Sequence, residues 1–126
     1  YVNTGVLMMN LNALRIHLRL EDIQMYAKDK KEILILPDQD ILTALYGSHV
    51  KILERMVYNL SDRTLLAHNA DFRNTRVNLG WVRKNTVIIH YFGRNKPWKE
   101  HYAGVLDVFY HEIVQMLAMN NGRKTG

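Results

Sequence analysis

The chain has 126 residues, 48% of them hydrophobic, which suits one domain or part of a larger one. The absence of cysteine excludes disulfides, cysteine-based zinc sites and thiol catalysis, and the longest apolar runs are too short to span a bilayer. A surplus of 17 basic over 12 acidic residues fits a phosphorylated ligand, nucleic acid or an anionic membrane surface. Because Tyr1 lies in an apolar pattern, we expect the chain to be the middle of a longer polypeptide.

The first half of the chain alternates strand and helix patterns. The apolar run at residues 6–9 predicts a strand buried on both faces of a sheet, and residues 33–36 form another apolar run, ended by Pro37. Residues 12–30 carry both a strand period and a helix period, and their many good helix formers favour helix. Residues 41–46 have helical spacing, and Gly47 is the expected stop.

The second half continues this alternation around a polar stretch at residues 59–74, which we predict to be irregular. Short apolar runs again have the composition of strands, and the clearest helical stripe lies near the carboxyl end. Strands that alternate with helices predict an α/β arrangement of packed layers. The predicted elements are strands at 50–53, 56–58 and 87–89, a short helix or turn at 77–84, and a long helix at 102–119.

Three polar clusters stand at the ends of these elements, where ligand sites of α/β proteins collect. An imidazole can hold a metal ion, a glycine lets backbone approach a ligand, and a lysine attracts an anion such as phosphate. A carboxylate beside an amide can bind hydroxyl groups. The clusters are Asn3 before the first strand, Asp38 and Gln39 at a helix start, and His90, Gly93 and Lys96 after the last strand.

Each cluster also has a purely structural interpretation. Asn3 suits a turn, and Asp38 suits a helix N-cap in a first turn that the helix dipole makes favourable for carboxylates. The segment 88–98 suits a core strand that ends in a polar loop. Taken alone, that segment leaves the strand end and the ligand site equally open.

Three segments, in order, resemble glycosyltransferase family 8, which includes glycogenin and the bacterial lipopolysaccharide galactosyltransferases. Residues 1–11 (YVNTGVLMMNL) resemble its F-N-(A/S)-G-V-hydrophobic-N-L segment, and residues 36–42 (LPDQDIL) resemble its D-Q-D/G-hydrophobic-L segment. Residues 88–98 (IIHYFGRNKPW) resemble its H-x-x-G-x-x-K-P-W segment, which is the most specific of the three. The resemblance implies that residues 1–126 form a single domain, the carboxy-terminal portion of a family 8 catalytic domain.

The resemblance implies a partial GT-A-type, Rossmann-like fold with a mixed sheet and flanking helices. It further implies a retaining transfer of a sugar from a UDP-sugar to an acceptor hydroxyl with Mn²⁺ assistance. The implied acceptor is a saccharide, a lipid-linked saccharide or a protein, as in the assembly of bacterial cell-surface polysaccharide, and no nucleic acid is expected. The implied location is cytoplasmic, with peripheral association at the inner membrane surface.

The resemblance also implies a role for each matched residue. The family's metal-binding Asp-x-Asp precedes these segments, and Asp38-x-Asp40 belongs instead to the later D-Q-D segment. We therefore expect the piece alone to be inactive, because one imidazole does not retain Mn²⁺. The implied roles are His90 as a Mn²⁺ ligand, Gly93 and Lys96 on the donor phosphates, Asp38 on the donor sugar hydroxyls, Gln39 at the reacting face of the anomeric carbon, and Asn3 in the sugar or acceptor pocket.

Two other functions fit the sequence. The basic surplus suits a non-catalytic phosphate-binding or nucleic-acid-binding module, for which Tyr91, Phe92 and Arg94 are the aromatic and basic cluster. A degenerate, purely structural domain is the third interpretation.

Overall fold

The computed structural model describes residues 3–122, and its regular secondary structure there is helical. The one strand-type pairing in that range is an isolated parallel bridge between Leu60 and Ile89. A 3₁₀ turn, Gly47–His49, follows the third helix. The helices are α1 (Leu11–His17), α2 (Leu20–Asp29), α3 (Pro37–Tyr46), α4 (Arg55–Tyr58), α5 (Asp62–Ala70), α6 (Leu79–Asn85) and α7 (Asp107–Gly122).

The predicted α/β fold, with a mixed sheet of the Rossmann-like GT-A type, is therefore wrong for this part of the chain. The apolar runs at 6–9, 33–36 and 50–53 form no strand, and residues 56–58 lie in α4. An apolar run becomes a strand only where neighbours complete its hydrogen-bond ladder and cover its faces. Here the runs remain open to solvent, with Ile35 87% and Ile52 84% exposed.

The run at 87–89 keeps a trace of the predicted strand. Leu60 N–H donates to the Ile88 carbonyl at 3.0 Å, and His90 N–H donates to the Leu60 carbonyl at 2.7 Å. Two such bonds make a bridge, but a sheet needs further paired strands. The bridge nevertheless fixes which residues lie beside His90.

Backbone conformation and the position of proline explain where α2 and α3 begin. The predicted helix at 12–30 is two helices, because Leu18 and Arg19 between α1 and α2 have extended backbone. Pro37 takes the first position of α3, where its missing N–H is harmless. Asp40 then reaches back, and its Oδ2 accepts the N–H of Ile35 at 2.8 Å. Asp38 lies in the first turn as expected but is not the N-cap, since Leu36 holds that position.

The prediction that residues 59–74 are irregular is wrong in part, because they contain the helix α5. Ser61 is the N-cap there, and its Oγ accepts the N–H of Thr64 at 3.1 Å. The short helix or turn predicted at residues 77–84 is a helix, α6. The last helix begins later than predicted, at Asp107.

The chain divides into two units, Tyr1–Ile52 and Leu53–Gly126. In the first, α2 contacts α3, and no residue of its described part is buried. The second has a compact core around which α4, α5 and α6 are arranged, with Leu60 and Leu106 fully buried. No helix within residues 3–122 is long and apolar enough to cross a bilayer. The buried hydrophobic residues of the second unit are Met56, Leu60, Leu65, Val77, Val82 and Leu106.

Candidate functional site

In the first unit, a hydrogen bond joins the amino-terminal segment to the start of α3. The Thr4 hydroxyl donates to Oδ2 of Asp38. This bond, followed by backbone N–H groups at the helix start, lowers the pKa of Asp38 below its ordinary value. Asp38 is thus an ionised acceptor at neutral pH, and Gln39 follows it in the same turn.

Asn3 has a structural role in the same unit. Its Oδ1 accepts the N–H of Gly5 at 2.8 Å, which closes a short turn. This hydrogen bond supports the interpretation of Asn3 as a turn residue. The donor-binding role of Asn3 stays a prediction.

In the second unit, the bridge between Leu60 and Ile89 brings Asn59 beside His90. Nδ1 of His90 lies 2.9 Å from Oδ1 of Asn59. An amide oxygen only accepts, so Nδ1 carries the proton and Nε2 keeps its lone pair. Partial burial, followed by the charge of Lys96, lowers the pKa of His90. The ring is neutral at pH 7 and oriented by its neighbour.

Lys96 and Gly93 shape the turn that follows His90. The Lys96 ammonium donates to the Tyr91 carbonyl and lies 5.4 Å from the centre of the Trp98 ring. Gly93 has φ of 72°, a left-handed conformation that side chains disfavour. A Cβ at Gly93 would meet no other atom, so the glycine is required by backbone conformation rather than by space.

Asp62, at the start of α5, forms hydrogen bonds with the residues that precede α7. Its carboxylate accepts the Tyr102 hydroxyl and the N–H groups of Val105 and Leu106, the latter two at 2.7 and 3.1 Å. The Tyr91 hydroxyl donates to the Leu106 carbonyl at 2.6 Å. The fold thereby holds the histidine-containing segment against its own core.

These tyrosines make the second unit sensitive to alkali. Burial, followed by the Asp62 charge, raises the pKa of Tyr91 to about 12, and burial with the Asp62 hydrogen bond raises that of Tyr102. An unfolded tyrosine ionises near pH 10, so the native state binds more protons above that pH. We expect the contribution of these two tyrosines to the free energy of unfolding to be constant below about pH 10 and to fall as the pH rises toward 12.

Denaturant unfolding measured at several alkaline pH values checks this expectation. Tyr91→Phe removes one of the two titrating hydroxyls, and the pH-dependent fall should become shallower. A fall that is identical in the wild type and in Tyr91→Phe would contradict the assignment.

The fit to Mn²⁺ rests on His90. A neutral imidazole whose other nitrogen is held by a hydrogen bond is the form in which histidine binds metals. Within residues 3–122, however, no three His, Asp or Glu side chains form a group that could hold a metal ion. The described residues thus supply a suitable nitrogen donor, and the remaining ligands would have to come from other residues.

The predicted site residues fall into two groups. Asp38 and Gln39 are consecutive in the first unit, to which Asn3 also belongs, and the remaining three lie in one segment of the second. Thr4, Asn59 and Asp62 were missed. The Ser61-to-Thr64 cap spacing was the one signal for the Asp62 region, whereas nothing in the sequence pairs Asn59 with His90.

Comparison with known proteins gives a consistent assignment. The family model described as glycosyl transferase family 8 matches residues 1–102. The lipopolysaccharide 1,2-glucosyltransferase of Escherichia coli is 33% identical over 104 residues, which cover 79% of this chain and 29% of that protein. The chain thus spans less than a third of the length of this relative. The match confirms the family predicted from the three segments, and the chain belongs to glycosyl transferase family 8.

Proposed function

We propose that the full-length protein is a retaining glycosyltransferase that moves a sugar from a UDP-sugar to an acceptor hydroxyl. The observation that carries the proposal is the segment 88–98, in which Asn59 orients a neutral His90 and the charge of Lys96 acts on the same imidazole. A metal-binding nitrogen and a fixed cation close together suit a leaving diphosphate.

Lys96 and Gly93 would contact the donor diphosphate. The Lys96 ammonium has three N–H donors, of which the Tyr91 carbonyl takes one. The remaining donors can turn toward an anion without breaking that anchor. The left-handed turn at Gly93 has open space on its Cα, so a phosphate can approach the backbone closely.

His90 would be one ligand of Mn²⁺, completed by carboxylates from residues outside those described. When bound, Mn²⁺ supplies Lewis-acid stabilisation of the charge that develops on the departing diphosphate. The contribution of this chain is to present Nε2 with its lone pair, because Asn59 holds Nδ1 in the protonated form.

Asp38 and Gln39 would serve the sugar side of the reaction. An ionised Asp38 accepts hydrogen bonds from sugar hydroxyls, and the Thr4 hydroxyl stabilises that ionised form. Gln39, one residue later in α3, would place its amide at the reacting face of the anomeric carbon. Asn3 would line the sugar or acceptor pocket.

The proposed acceptor is a saccharide or lipid-linked saccharide of a bacterial surface polysaccharide, because the name of the E. coli relative refers to lipopolysaccharide. A protein acceptor, the other class that the resemblance implies, is not indicated by the name of this relative. Such an acceptor would place the enzyme in the cytoplasm or peripherally at the inner membrane surface.

A donor assay tests this proposal. The full-length protein should release UDP from one UDP-sugar of a panel in the presence of Mn²⁺, with UDP-glucose as the first candidate because the relative is a glucosyltransferase. Release that requires acceptor saccharide would support transfer. No release from any UDP-sugar would overturn the proposal.

The nucleic-acid alternative has weaker structural support. Tyr91, one of the two aromatic residues of its proposed cluster, is half-buried and donates its hydroxyl to the Leu106 carbonyl, which leaves Phe92, 42% exposed, as the accessible ring of the cluster. Base stacking needs an accessible ring face. Salt-sensitive binding to generic oligonucleotides without any binding to UDP would favour that alternative.

A further inference from the structure

Two adjoining clefts open on the second unit and share Arg63 and Phe92. The smaller, about 160 Å³, is lined by His90 and Arg94 in addition to the shared pair. The larger, about 440 Å³, is lined by Arg55 and His68 together with the shared pair. Nothing in the proposed reaction yet uses the larger cleft.

The charged residues that line the larger cleft are all basic. No Asp or Glu lines it. Asp62 lines the smaller cleft, but its carboxylate already accepts one hydroxyl and two backbone N–H groups. Glu54, adjacent to Arg55, accepts the N–H of Met56 at 3.2 Å. Both carboxylates stay charged in these hydrogen bonds, but Arg55, Arg63 and Arg94 outnumber them, so the net charge around the two clefts is positive.

Two arginines of the same unit that lie outside the clefts are neutralised by partners. Arg73 pairs with Asp71 at 2.6 Å, and Arg83 pairs with Glu112 at 2.6 Å. Within residues 3–122, neither Arg55 nor Arg63 forms an ion pair with a carboxylate. Two unpaired guanidinium groups in one cleft form a site for an anion, since a guanidinium matches the oxygens of phosphate in geometry and charge.

The aromatic residue in the lining indicates which chemical group the bound phosphate carries. The Phe92 side chain is 42% exposed, and it forms a wall common to both clefts. An aromatic face beside a phosphate site suits a phosphate that is attached to a sugar ring, because the C–H face of a sugar packs against aromatic surface.

We propose that Arg55 and Arg63 form a phosphate-binding subsite next to the segment that contains His90. Its role in the reaction rests on the proposed function, whereas binding of the anion itself does not. The phosphate belongs either to the nucleotide diphosphate of the donor or to a phosphorylated sugar of the acceptor. Arg63, which lines both clefts, is the residue through which either source would be held.

Titration of the full-length protein with two probes tests the subsite. The probes are glucose 6-phosphate alone and UDP in the presence of Mn²⁺, each at fixed ionic strength. The variants are Arg55→Gln and Arg63→Gln, and the matched control is Arg76→Gln, an exposed arginine that lines neither cleft. Each cleft variant should weaken the affinity for a probe about tenfold, the usual effect of losing one charge-assisted hydrogen bond.

The two probes separate the two sources of phosphate. Weakened UDP binding assigns the subsite to the donor, and weakened glucose 6-phosphate binding assigns it to the acceptor; either result supports the proposal. Unchanged affinities for both probes would overturn it, as would an equal loss in Arg76→Gln. The two proposals can also fail separately. If the wild-type protein does not bind UDP, but its affinity for glucose 6-phosphate falls in Arg63→Gln, the phosphate subsite is supported and the proposed transferase function is not.

Discussion

Replacing His90 with alanine is expected to lower the rate of sugar transfer by the full-length protein about a hundredfold or more. Changing residues that merely orient a metal ligand lowers affinity or activity 10–100-fold, so removing the ligand itself should do at least as much. In this structure the His90 ring is neutral, and Asn59 fixes its tautomer. The measurement is UDP release from the donor sugar over a range of Mn²⁺ concentrations.

A second histidine provides the control for this variant. His111 lies on α7, is exposed and lines neither cleft. His111→Ala should leave the rate and its dependence on Mn²⁺ unchanged. Metal-dependent UDP binding that survives His90→Ala would remove His90 from the metal site.

Replacing Leu106 with alanine should destabilise the second unit by about 3 kcal/mol. Leu106 is fully buried in the core cluster, so truncation removes apolar contacts and leaves a cavity. Its backbone N–H and carbonyl are bound to Asp62 and Tyr91, which limits how far the site can collapse around the cavity. The free energy of unfolding can be measured by denaturant titration, with Trp81 packed against the core as the fluorescent reporter.

Leu66→Ala is the matched control for Leu106→Ala. Leu66 lies in α5 and is 73% exposed, so its truncation should change the free energy of unfolding by no more than about 0.5 kcal/mol. Equal effects of the two substitutions would show that Leu106 is not part of a packed core.

Helices that depend on local signals could be predicted from the sequence. The apolar spacing after Pro37 gave α3, and the stripe near the carboxyl end gave most of α7. The helix α5 was missed because its residues are largely polar, and its main signal was the single cap at Ser61. Capping is worth about 1 kcal/mol, and burial of Leu65 in the core supplies the tertiary packing on which a short helix depends.

The predicted strands failed for a different reason. Strand formation depends on partners that are distant in sequence, and an apolar run carries no information about whether they are present. Residues 87–89 found one partner, at Leu60. Residues 6–9 and 33–36 found none among the described residues, so the same type of run adopted turns and irregular backbone.

The candidate site divides in the same way. His90, Gly93 and Lys96 could be predicted together because they belong to one segment, and Asp38 with Gln39 because they are consecutive. Their hydrogen-bond partners could not be predicted from the sequence, because Asn59 lies 31 positions from His90 and Thr4 lies 34 positions from Asp38. Such contacts are set by the fold rather than by spacing along the sequence.

Calorimetric titration of the full-length protein with UDP, with and without Mn²⁺, tests the central claim most directly. A family 8 glycosyltransferase with a metal-assisted donor site should bind UDP when Mn²⁺ is present and far more weakly when it is removed by a chelator. The absence of UDP binding under both conditions, together with salt-sensitive binding to generic oligonucleotides, would contradict the claim.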